Sequence, residues 1–219
     1  MEYPIRINKY LRDMGLASRR EADKLVEGGL VLVNGKRAEN GTMINEKDNV
    51  VVKGIKKDYQ YLAYYKPRDL PTQDLPGKTS VITEWKKQGL YPVGRLDKSS
   101  EGLLLLTNDG RFARKVLSDS SKYEKEYVVA VKEPLRPGVV KIFQEGMNTE
   151  TFGKLLPVKA RIINQNRIQM ILHEGKRHQI RVMLNELGYT INSLRRVRIG
   201  NIKIENLQPG ETRKISVSV

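Results

Sequence analysis

The chain has 219 residues, enough for one large or two modest domains, and carries 40 Lys and Arg against 25 Asp and Glu, a formal charge of +15. This charge predicts a polyanionic partner, and we expect nucleic acid rather than a membrane, because the amino terminus has no leader pattern and no apolar run is long enough to span a bilayer. The absence of cysteine excludes disulfides, thiolate metal sites and cysteine catalysis, and two histidines are too few for a histidine-based metal site.

The charge is spread unevenly along the chain. Residues 1–60 carry 12 basic and 9 acidic side chains, whereas the remainder carries 28 and 16. The larger part is therefore expected to contact the polyanion itself.

A small module of two helices and a hairpin is predicted first. Apolar residues at helical spacing over 7–14 predict a helix that ends at Gly15, and the Ser-Arg-Arg-Glu sequence at 18–21 is a capping box that begins a second helix. A short strand is predicted at 30–33, followed by Asn-Gly, the strongest two-residue hairpin signal. Residues 49–52 are predicted to form another strand.

Three segments of this module, 6–11, 17–22 and 31–35, resemble the small RNA-binding domain named for ribosomal small-subunit protein four. We place its bounds at 1–52 and a polar linker at 53–60. The resemblance implies contact with RNA phosphates, although basic residues on a helix can also be simply solvated. The residues expected to make these contacts are Arg6, Lys9, Arg19 and Arg20.

A glycine-punctuated loop, 94–102, holds a single carboxylate, Asp97, directly ahead of four consecutive leucines at 103–106. The leucines predict a strand buried on both faces, and Asn-Asp-Gly at 108–110 predicts the turn that ends it. A rigid strand beside a loop carboxylate is one way to position a nucleophile, whereas an isolated aspartate in a turn is most often a surface residue.

The other elements follow from residue type and periodicity. Strands are predicted at 61–65, 125–131 and 167–173 by their aromatic, β-branched and alternating residues. Helices are predicted at 111–117 and 180–187, the second from apolar residues at helical spacing with a glycine cap.

Four segments, in this order, resemble the RsuA/RluA group of pseudouridine synthases: 61–68, 94–110, 174–181 and the Arg-rich stretch 194–200, which is typical of the RsuA/RluB/RluE/RluF branch. The resemblance implies an α+β fold, with a mixed, mostly antiparallel sheet flanked by helices, over a catalytic domain at 61–219. Two positions depart from the motifs: Asp69 replaces a glycine, and Lys176 replaces an arginine, which keeps the charge but not the bidentate geometry.

The resemblance also implies the chemistry. Asp97 would be the catalytic nucleophile or base, Tyr127 would stack on a flipped-out uracil, and Arg181 would pair with Asp97 and keep it ionised. The reaction needs no cofactor and no metal. Further contacts to RNA are expected from Lys66, Arg95, Lys176, Arg177 and Arg195.

The predicted substrate is a uridine of ribosomal RNA. The Arg-rich stretch and residues 154–159 favour the RluF-like subgroup, which modifies large-subunit (23S) RNA; small-subunit (16S) RNA and tRNA are alternatives. We expect a monomer that acts in the cytoplasm on ribosomal RNA or on a ribosomal assembly intermediate. Two other classes stay open: a non-catalytic RNA-binding or ribosome-assembly protein, and a glycosidase built on Asp97 and Glu101.

Overall fold

The computed structural model describes residues 3–14, 16–53, 59–74, 76–118 and 123–217, with Arg19 described by its backbone alone. Contacts between Cα atoms divide the chain into two compact units: residues 1–60 with 108–115, and residues 61–107 with 116–218. Gly15 and residues 54–58 of the predicted linker lie outside the described residues.

The first unit is built from two short helices and two small sheets. Its elements before residue 60 are β1 (Ile5–Arg6), α1 (Ile7–Asp13), α2 (Arg19–Glu27), β2 (Val31–Val33), β3 (Lys36–Arg37), β4 (Met43–Ile44) and β5 (Val50–Val52). The predicted capping box is confirmed, because Ser18 Oγ accepts from the amide of Glu21 and the Glu21 carboxylate accepts from the amide of Ser18. The predicted hairpin is confirmed as well: Asn34 and Gly35 join β2 to β3 with φ of 50° and 79°, the left-handed pair that a tight hairpin requires.

The remaining elements follow in chain order. They are β6 (Tyr61–Lys66), α3 (Val81–Trp85), β7 (Tyr91–Val93), β8 (Glu101–Thr107), α4 (Gly110–Leu117), β9 (Lys125–Val131), α5 (Val139–Gln144), β10 (Asn148–Thr149), β11 (Gly153–Lys154), β12 (Lys159–Asn164), β13 (Arg167–Leu172), α6 (Gln179–Glu186), β14 (Ile191–Ile199), β15 (Ile202–Lys203) and β16 (Thr212–Lys214). A single 3₁₀ turn, Lys86–Gln88, follows α3.

One large sheet organises the second unit. Its strand order is β12-β13-β9-β14-β8-β6-β16, with β15 paired to β14 and β7 paired to β8. The β14–β8 pair is parallel and the other pairs are antiparallel. The predicted α+β fold with a mixed, mostly antiparallel sheet is therefore confirmed.

The burial pattern explains where the strands lie. The four leucines of β8 are completely buried, as expected for a strand covered on both faces. In contrast, β13 buries Ile168, Met170 and Leu172 and leaves the residues between them half-buried, because only one of its faces packs against α5 and α6.

Candidate active site

The loop that carries Asp97 lies between β7 and β8 and is held through its backbone. The buried Thr72 hydroxyl accepts a hydrogen bond from the amide of Leu96 at 3.1 Å and donates one to the carbonyl of the same residue at 2.6 Å. The carbonyl of Asp97 accepts from the amide of Ser100 at 3.0 Å, which closes the turn into β8. Leu96, the residue before Asp97, is therefore hydrogen-bonded through both its amide and its carbonyl.

Gly102 shows why glycine follows this loop. Its φ is 107°, and a Cβ at this position would lie 2.3 Å from the carbonyl oxygen of Arg196, on the parallel neighbour β14. No side chain fits this gap without moving the strand. The close approach brings β14 against the start of β8, directly beyond the Asp97 loop.

Both oxygens of the Asp97 carboxylate face nitrogen atoms from the start of α6. Oδ1 lies 3.4 Å from Nε2 of His178, and Oδ2 lies 3.5 Å from Nε of Arg181. A second nitrogen of Arg181, Nη2, donates to Ser100 Oγ at 2.8 Å and so ties the guanidinium to the same loop. The side chain of Asp97 is 31% exposed, which leaves the carboxylate reachable by a ligand.

His178 occupies a special position at the beginning of α6. It is the N-cap residue and has φ of 59°, a left-handed conformation that costs a non-glycine residue about 1 kcal/mol. This backbone turn directs the imidazole toward Asp97 instead of along the helix. Unfavourable conformations of this kind are concentrated at functional sites.

Lys66 lies beneath the same loop and is fully buried. Its ammonium donates to three backbone carbonyls: Pro67 at 2.9 Å, Leu70 at 2.7 Å and Lys98 at 3.4 Å. Burial lowers the pKa of Lys66 to about 8, although the negative charges of Asp69 and Asp97 oppose this shift. The predicted RNA contact of Lys66 is wrong, because an ammonium held by carbonyls in the interior cannot reach a phosphate.

Asp69 occupies the position where the family motif has glycine. It adopts the left-handed conformation, with φ of 66°, that a glycine would supply without strain, and its amide donates to the carbonyl of Lys98 at 2.8 Å. The replacement therefore keeps a turn of the glycine type, at a cost of about 1 kcal/mol.

Arg196 is a second buried cation at the loop. It is 4% exposed, its Nε donates to the carbonyl of Leu103 at 2.7 Å, and its Nη1 donates to the carbonyl of Arg95 at 3.3 Å. The carbonyls of Arg95 and Lys98, on either side of Asp97, therefore each accept a hydrogen bond from a buried cation. Because neither cation is neutralised by a carboxylate in a direct ion pair among the described residues, both make the surroundings of Asp97 positive.

A cavity of about 640 Å³ opens at Asp97. Its lining includes the half-buried Tyr127 of β9, which also packs on the apolar core of the second unit. Glu101 is absent from this lining, and its carboxylate accepts from the hydroxyl of Tyr65 at 3.2 Å. The only carboxylates among the described lining residues are Asp97 and Glu174, against these cations: Arg95, Lys98, Lys125, Lys176, Arg177, Arg181 and Arg196.

The residues expected to contact RNA are distributed over several surfaces. In the first unit, Arg6, Lys9 and Arg20 are exposed, and the side chain of Arg19 lies outside the described residues. In the second unit, three of the expected residues are exposed and line the cavity: Arg95, Lys176 and Arg177. Arg195 is exposed but does not line the cavity.

Sequence reasoning missed three residues of this site. No role is predicted for His178 from the sequence, although its position in the same motif as Arg181 is an available signal. Thr72 has no neighbour in sequence that indicates a role. Arg196 is predicted only as part of the Arg-rich stretch 194–200, and its burial could not be inferred because neighbouring arginines on one strand look alike in sequence.

Within the part of the chain that the structure describes, no group of three or more His, Cys, Asp or Glu side chains could hold a metal ion. In the same residues, no helix has both the length and the apolar character needed to cross a bilayer.

Residues 60–186 match the sequence model of the RNA pseudouridylate synthase family, and residues 5–50 match that of the S4 domain. The chain belongs to the RNA pseudouridylate synthase family. The predicted family is thus confirmed, and the protein is an RNA pseudouridine synthase with an amino-terminal S4 domain.

Named relatives share most of the length of this pseudouridine synthase. It is 34% identical to the Bacillus subtilis (strain 168) protein "Ribosomal large subunit pseudouridine synthase B", covering 96% of this chain and 92% of the relative. It is also 34% identical to the Escherichia coli (strain K12) protein "Dual-specificity RNA pseudouridine synthase RluF", covering 97% of this chain and 76% of the relative. A solved structure, "Crystal structure of pseudouridylate synthase", superposes with a TM-score of 0.72 at 25% identity and covers 97% of this chain and 96% of that one.

Proposed function

We propose that this enzyme converts a uridine of large-subunit ribosomal RNA to pseudouridine, with Asp97 as the group that acts on the ribose. The observation that carries the proposal is the carboxylate itself. It is the one acidic group of the 94–102 loop that lines the cavity, and nitrogen atoms of His178 and Arg181 face its two oxygens.

The reaction breaks the bond between C1′ of the ribose and N1 of uracil and forms a bond from C1′ to C5 of the same base. Asp97 acts as nucleophile or base at the sugar, the detached uracil turns within the cavity, the hydrogen on C5 leaves as a proton, and N1 takes up a proton. A paired uridine cannot present its glycosidic bond to this carboxylate, so the nucleotide is flipped out at a cost of a few kcal/mol. Tyr127, which lines the cavity, stacks on the extruded base.

Arg181 orients the nucleophile. Its guanidinium is anchored to Ser100 and leaves Nε, which makes no hydrogen bond among the described residues, aimed at Asp97 across 3.5 Å. Distances of this kind often shorten when substrate completes a site. His178 fixes the other oxygen, so that the carboxylate has one favoured orientation toward C1′.

Capture of RNA is divided between the two parts of the chain. We assign it first to the S4 domain, over residues 1–52, where Arg6, Lys9 and Arg20 are exposed to a phosphate backbone. The catalytic domain, over residues 61–219, adds the cations that line the cavity. This division allows chemistry and affinity to be altered separately by mutation.

The glycosidase alternative is built on Asp97 and Glu101, and the second of these carboxylates does not line the cavity; Glu174, which does, already accepts hydrogen bonds from Gln179 and from the amide of Leu156. Two carboxyl groups must flank a glycosidic bond in such an enzyme, but Glu101 does not line the cavity that holds Asp97. A non-catalytic RNA-binding protein would not require Asp97, Tyr127 and Arg181 to converge on one cavity.

The choice of large-subunit RNA follows the Bacillus subtilis relative, whose name gives the ribosomal large subunit as its substrate. We further propose that the enzyme is a monomer that acts in the cytoplasm on ribosomal RNA or an assembly intermediate. Pseudouridine mapping in ribosomal RNA from cells with and without the gene tests the substrate directly. Loss of one or more large-subunit sites is expected, whereas loss confined to small-subunit RNA or tRNA would contradict the choice.

A further inference from the structure

At β13, the large sheet packs on helices through one of its two faces only. On β13, Ile168, Met170 and Leu172 are buried in the core formed with α5 and α6. The alternating residues of the same strand, Arg167, Gln169 and Ile171, are exposed or half-exposed on the opposite face. The two faces of this part of the sheet therefore differ sharply in environment.

The pairing of neighbouring strands places several arginines on the same face as Gln169. Gln169 pairs with Arg161 of β12 on one side and with Val128 of β9 on the other, and Val128 pairs in turn with Arg195 of β14. Residues that pair directly across strands point to the same face. Arg167 lies on this face too, and it is exposed like Arg161 and Arg195. These three residues define what we call the arginine face: Arg161, Arg167 and Arg195.

The carboxylates near the arginine face are already engaged. Glu126 accepts from Arg198 at 2.6 Å and from Gln169 at 2.5 Å, and Arg198 holds a second carboxylate, Glu124, at 3.2 Å. Lys159 also donates to Glu124, at 2.9 Å. Burial raises the pKa of Glu126, but the hydrogen bonds from Arg198 and Gln169 and the nearby positive charges together lower it by more. The pKa of Glu126 is therefore below its usual value, and this carboxylate stays charged.

The three arginines themselves have no direct carboxylate partner. Arg161 donates to the neutral amide oxygen of Gln169 at 3.2 Å, and Arg195 is hydrogen-bonded to the hydroxyl of Tyr65. No ion pair within 4.0 Å joins any of them to an acidic side chain in the described ranges. Glu101 is the register partner of Arg195 and accepts a hydrogen bond from the same Tyr65 hydroxyl, so it offsets part of the charge of Arg195. Arg161 and Arg167 have no such neighbour among the described ion pairs, and the face therefore keeps a net positive charge.

An ordinary solvated sheet face is the simpler explanation, since antiparallel sheets often expose one side to water. Charged side chains on an edge strand protect it against aggregation, and this accounts for Arg161 on the edge strand β12. It does not account for Arg167 and Arg195, because β13 and β14 each have hydrogen-bonded neighbours on both sides. Between them, Val128 and Ala130 are small, so the surface stays flat.

We propose that the arginine face binds the phosphate backbone of a second segment of the same RNA, away from the target uridine. The inference rests on the proposed function, because the substrate is taken to be RNA. Recognition is of phosphates rather than bases: the one aromatic residue of β9, β12, β13 and β14 is Tyr127, which lines the cavity. Arginine suits this task because its planar guanidinium can contact a phosphate with two parallel hydrogen bonds.

The position of the face determines which RNA can reach it. Tyr127 and Val128 are neighbours on β9 and so point to opposite faces of the sheet, the first toward the cavity and the second toward the arginine face. A short stem–loop that delivers a uridine to the cavity does not reach around the sheet. A larger folded fragment of ribosomal RNA can extend around its edge at β12.

The test compares these two RNAs. The three arginines are changed together to glutamine, and a matched control removes the same charge from exposed lysines elsewhere in the second unit: Lys78→Gln, Lys87→Gln and Lys141→Gln. A third variant changes the arginines to lysine, which keeps the charge. Thermal melting establishes that each variant is folded before filter-binding titrations are made at several salt concentrations.

For the large fragment, the glutamine variant is expected to bind about tenfold more weakly or worse near physiological salt, and the slope of log affinity against log salt should fall by about 2 to 3. The lysine variant should recover most of the affinity. On the short stem–loop, affinity and the single-turnover rate should match wild type. The control should lose markedly less affinity for the large fragment.

Unchanged affinity and slope for the large fragment would overturn the inference, as would equal losses in the control. Unchanged RNA affinity with loss of binding to ribosomal precursor particles would assign the face to a protein and also overturn it. A wild-type enzyme that binds RNA but forms no pseudouridine would instead contradict the proposed function, so the two failures are distinguishable.

Discussion

Replacement of Arg181 by methionine tests how the carboxylate of Asp97 is held. The change removes both contacts that the guanidinium makes, the hydrogen bond to Ser100 at 2.8 Å and the approach to Asp97 at 3.5 Å, while it keeps most of the aliphatic volume. The matched control is Arg177→Met, an exposed arginine that lines the same cavity four positions earlier.

The expected loss follows from the charge geometry. Two unit charges about 3.5 Å apart attract by roughly 4 to 5 kcal/mol at an effective dielectric constant of about 20, which is an upper bound. The two side chains are 27% and 31% exposed, and solvent screening reduces the effect to roughly 2 to 4 kcal/mol. Since about 1.4 kcal/mol corresponds to a tenfold change in rate, Arg181→Met should slow the chemical step by roughly 30- to 1,000-fold.

The assay is release of tritium from RNA labelled at C5 of uridine, in a single turnover at saturating RNA. Arg177→Met should weaken binding at moderate salt and recover at low salt, because we expect Arg177 to contribute only attraction to phosphates. Equal rate losses in both variants, both restored by lowering the salt concentration, would refute the reasoning and reduce Arg181 to another phosphate contact.

Three further predictions concern the loop, its buried cation and the S4 domain. Thr72→Val removes both hydrogen bonds to Leu96 without a change in shape and should lower kcat at least about tenfold with little effect on KM. Thr72→Ser keeps the hydroxyl and should retain most activity. A similar kcat in the two variants would show that these hydrogen bonds do not hold the Asp97 loop in place. Burial lowers the pKa of Lys66 from its usual 10.5 to about 8, so the unfolded chain binds this proton more tightly than the folded protein does. The free energy of unfolding of wild type, measured in denaturant titrations, should therefore rise relative to that of Lys66→Met between about pH 8 and 10.5, by at most about 3 kcal/mol. A difference between the two proteins that does not depend on pH would contradict this. Lys9→Glu with Arg20→Glu should weaken RNA binding while the single-turnover rate at saturation stays near wild type, and a lost rate at saturation would show that the S4 domain takes part in the chemistry.

Features set by short-range chemistry were predictable from sequence. The capping box at Ser18, the hairpin at Asn34 and the buried strand of leucines each depend on residues within one or two turns, and the structure confirms all three. The helix α3 was not predicted, because five residues from Val81 to Trp85 are too few to show a helical period.

Features set by distant residues were not predictable. The parallel pairing of β14 with β8 joins residues more than ninety positions apart, and it is this pairing that requires glycine at position 102. Lys66 was assigned to RNA because nothing in sequence indicates that the carbonyls of Pro67, Leu70 and Lys98 converge on its ammonium. Likewise, the burial of Arg196 and the exposure of Arg195 depend on which face of β14 packs against the loop.

The central claim is that the carboxylate of Asp97 performs the reaction, and Asp97→Asn tests it most directly. The amide has the same shape but is neither a nucleophile nor a base. We predict that this variant folds, binds ribosomal RNA with an affinity close to wild type, and releases no tritium from C5-labelled uridine above background. Tritium release by Asp97→Asn at a rate near that of wild type would contradict the claim.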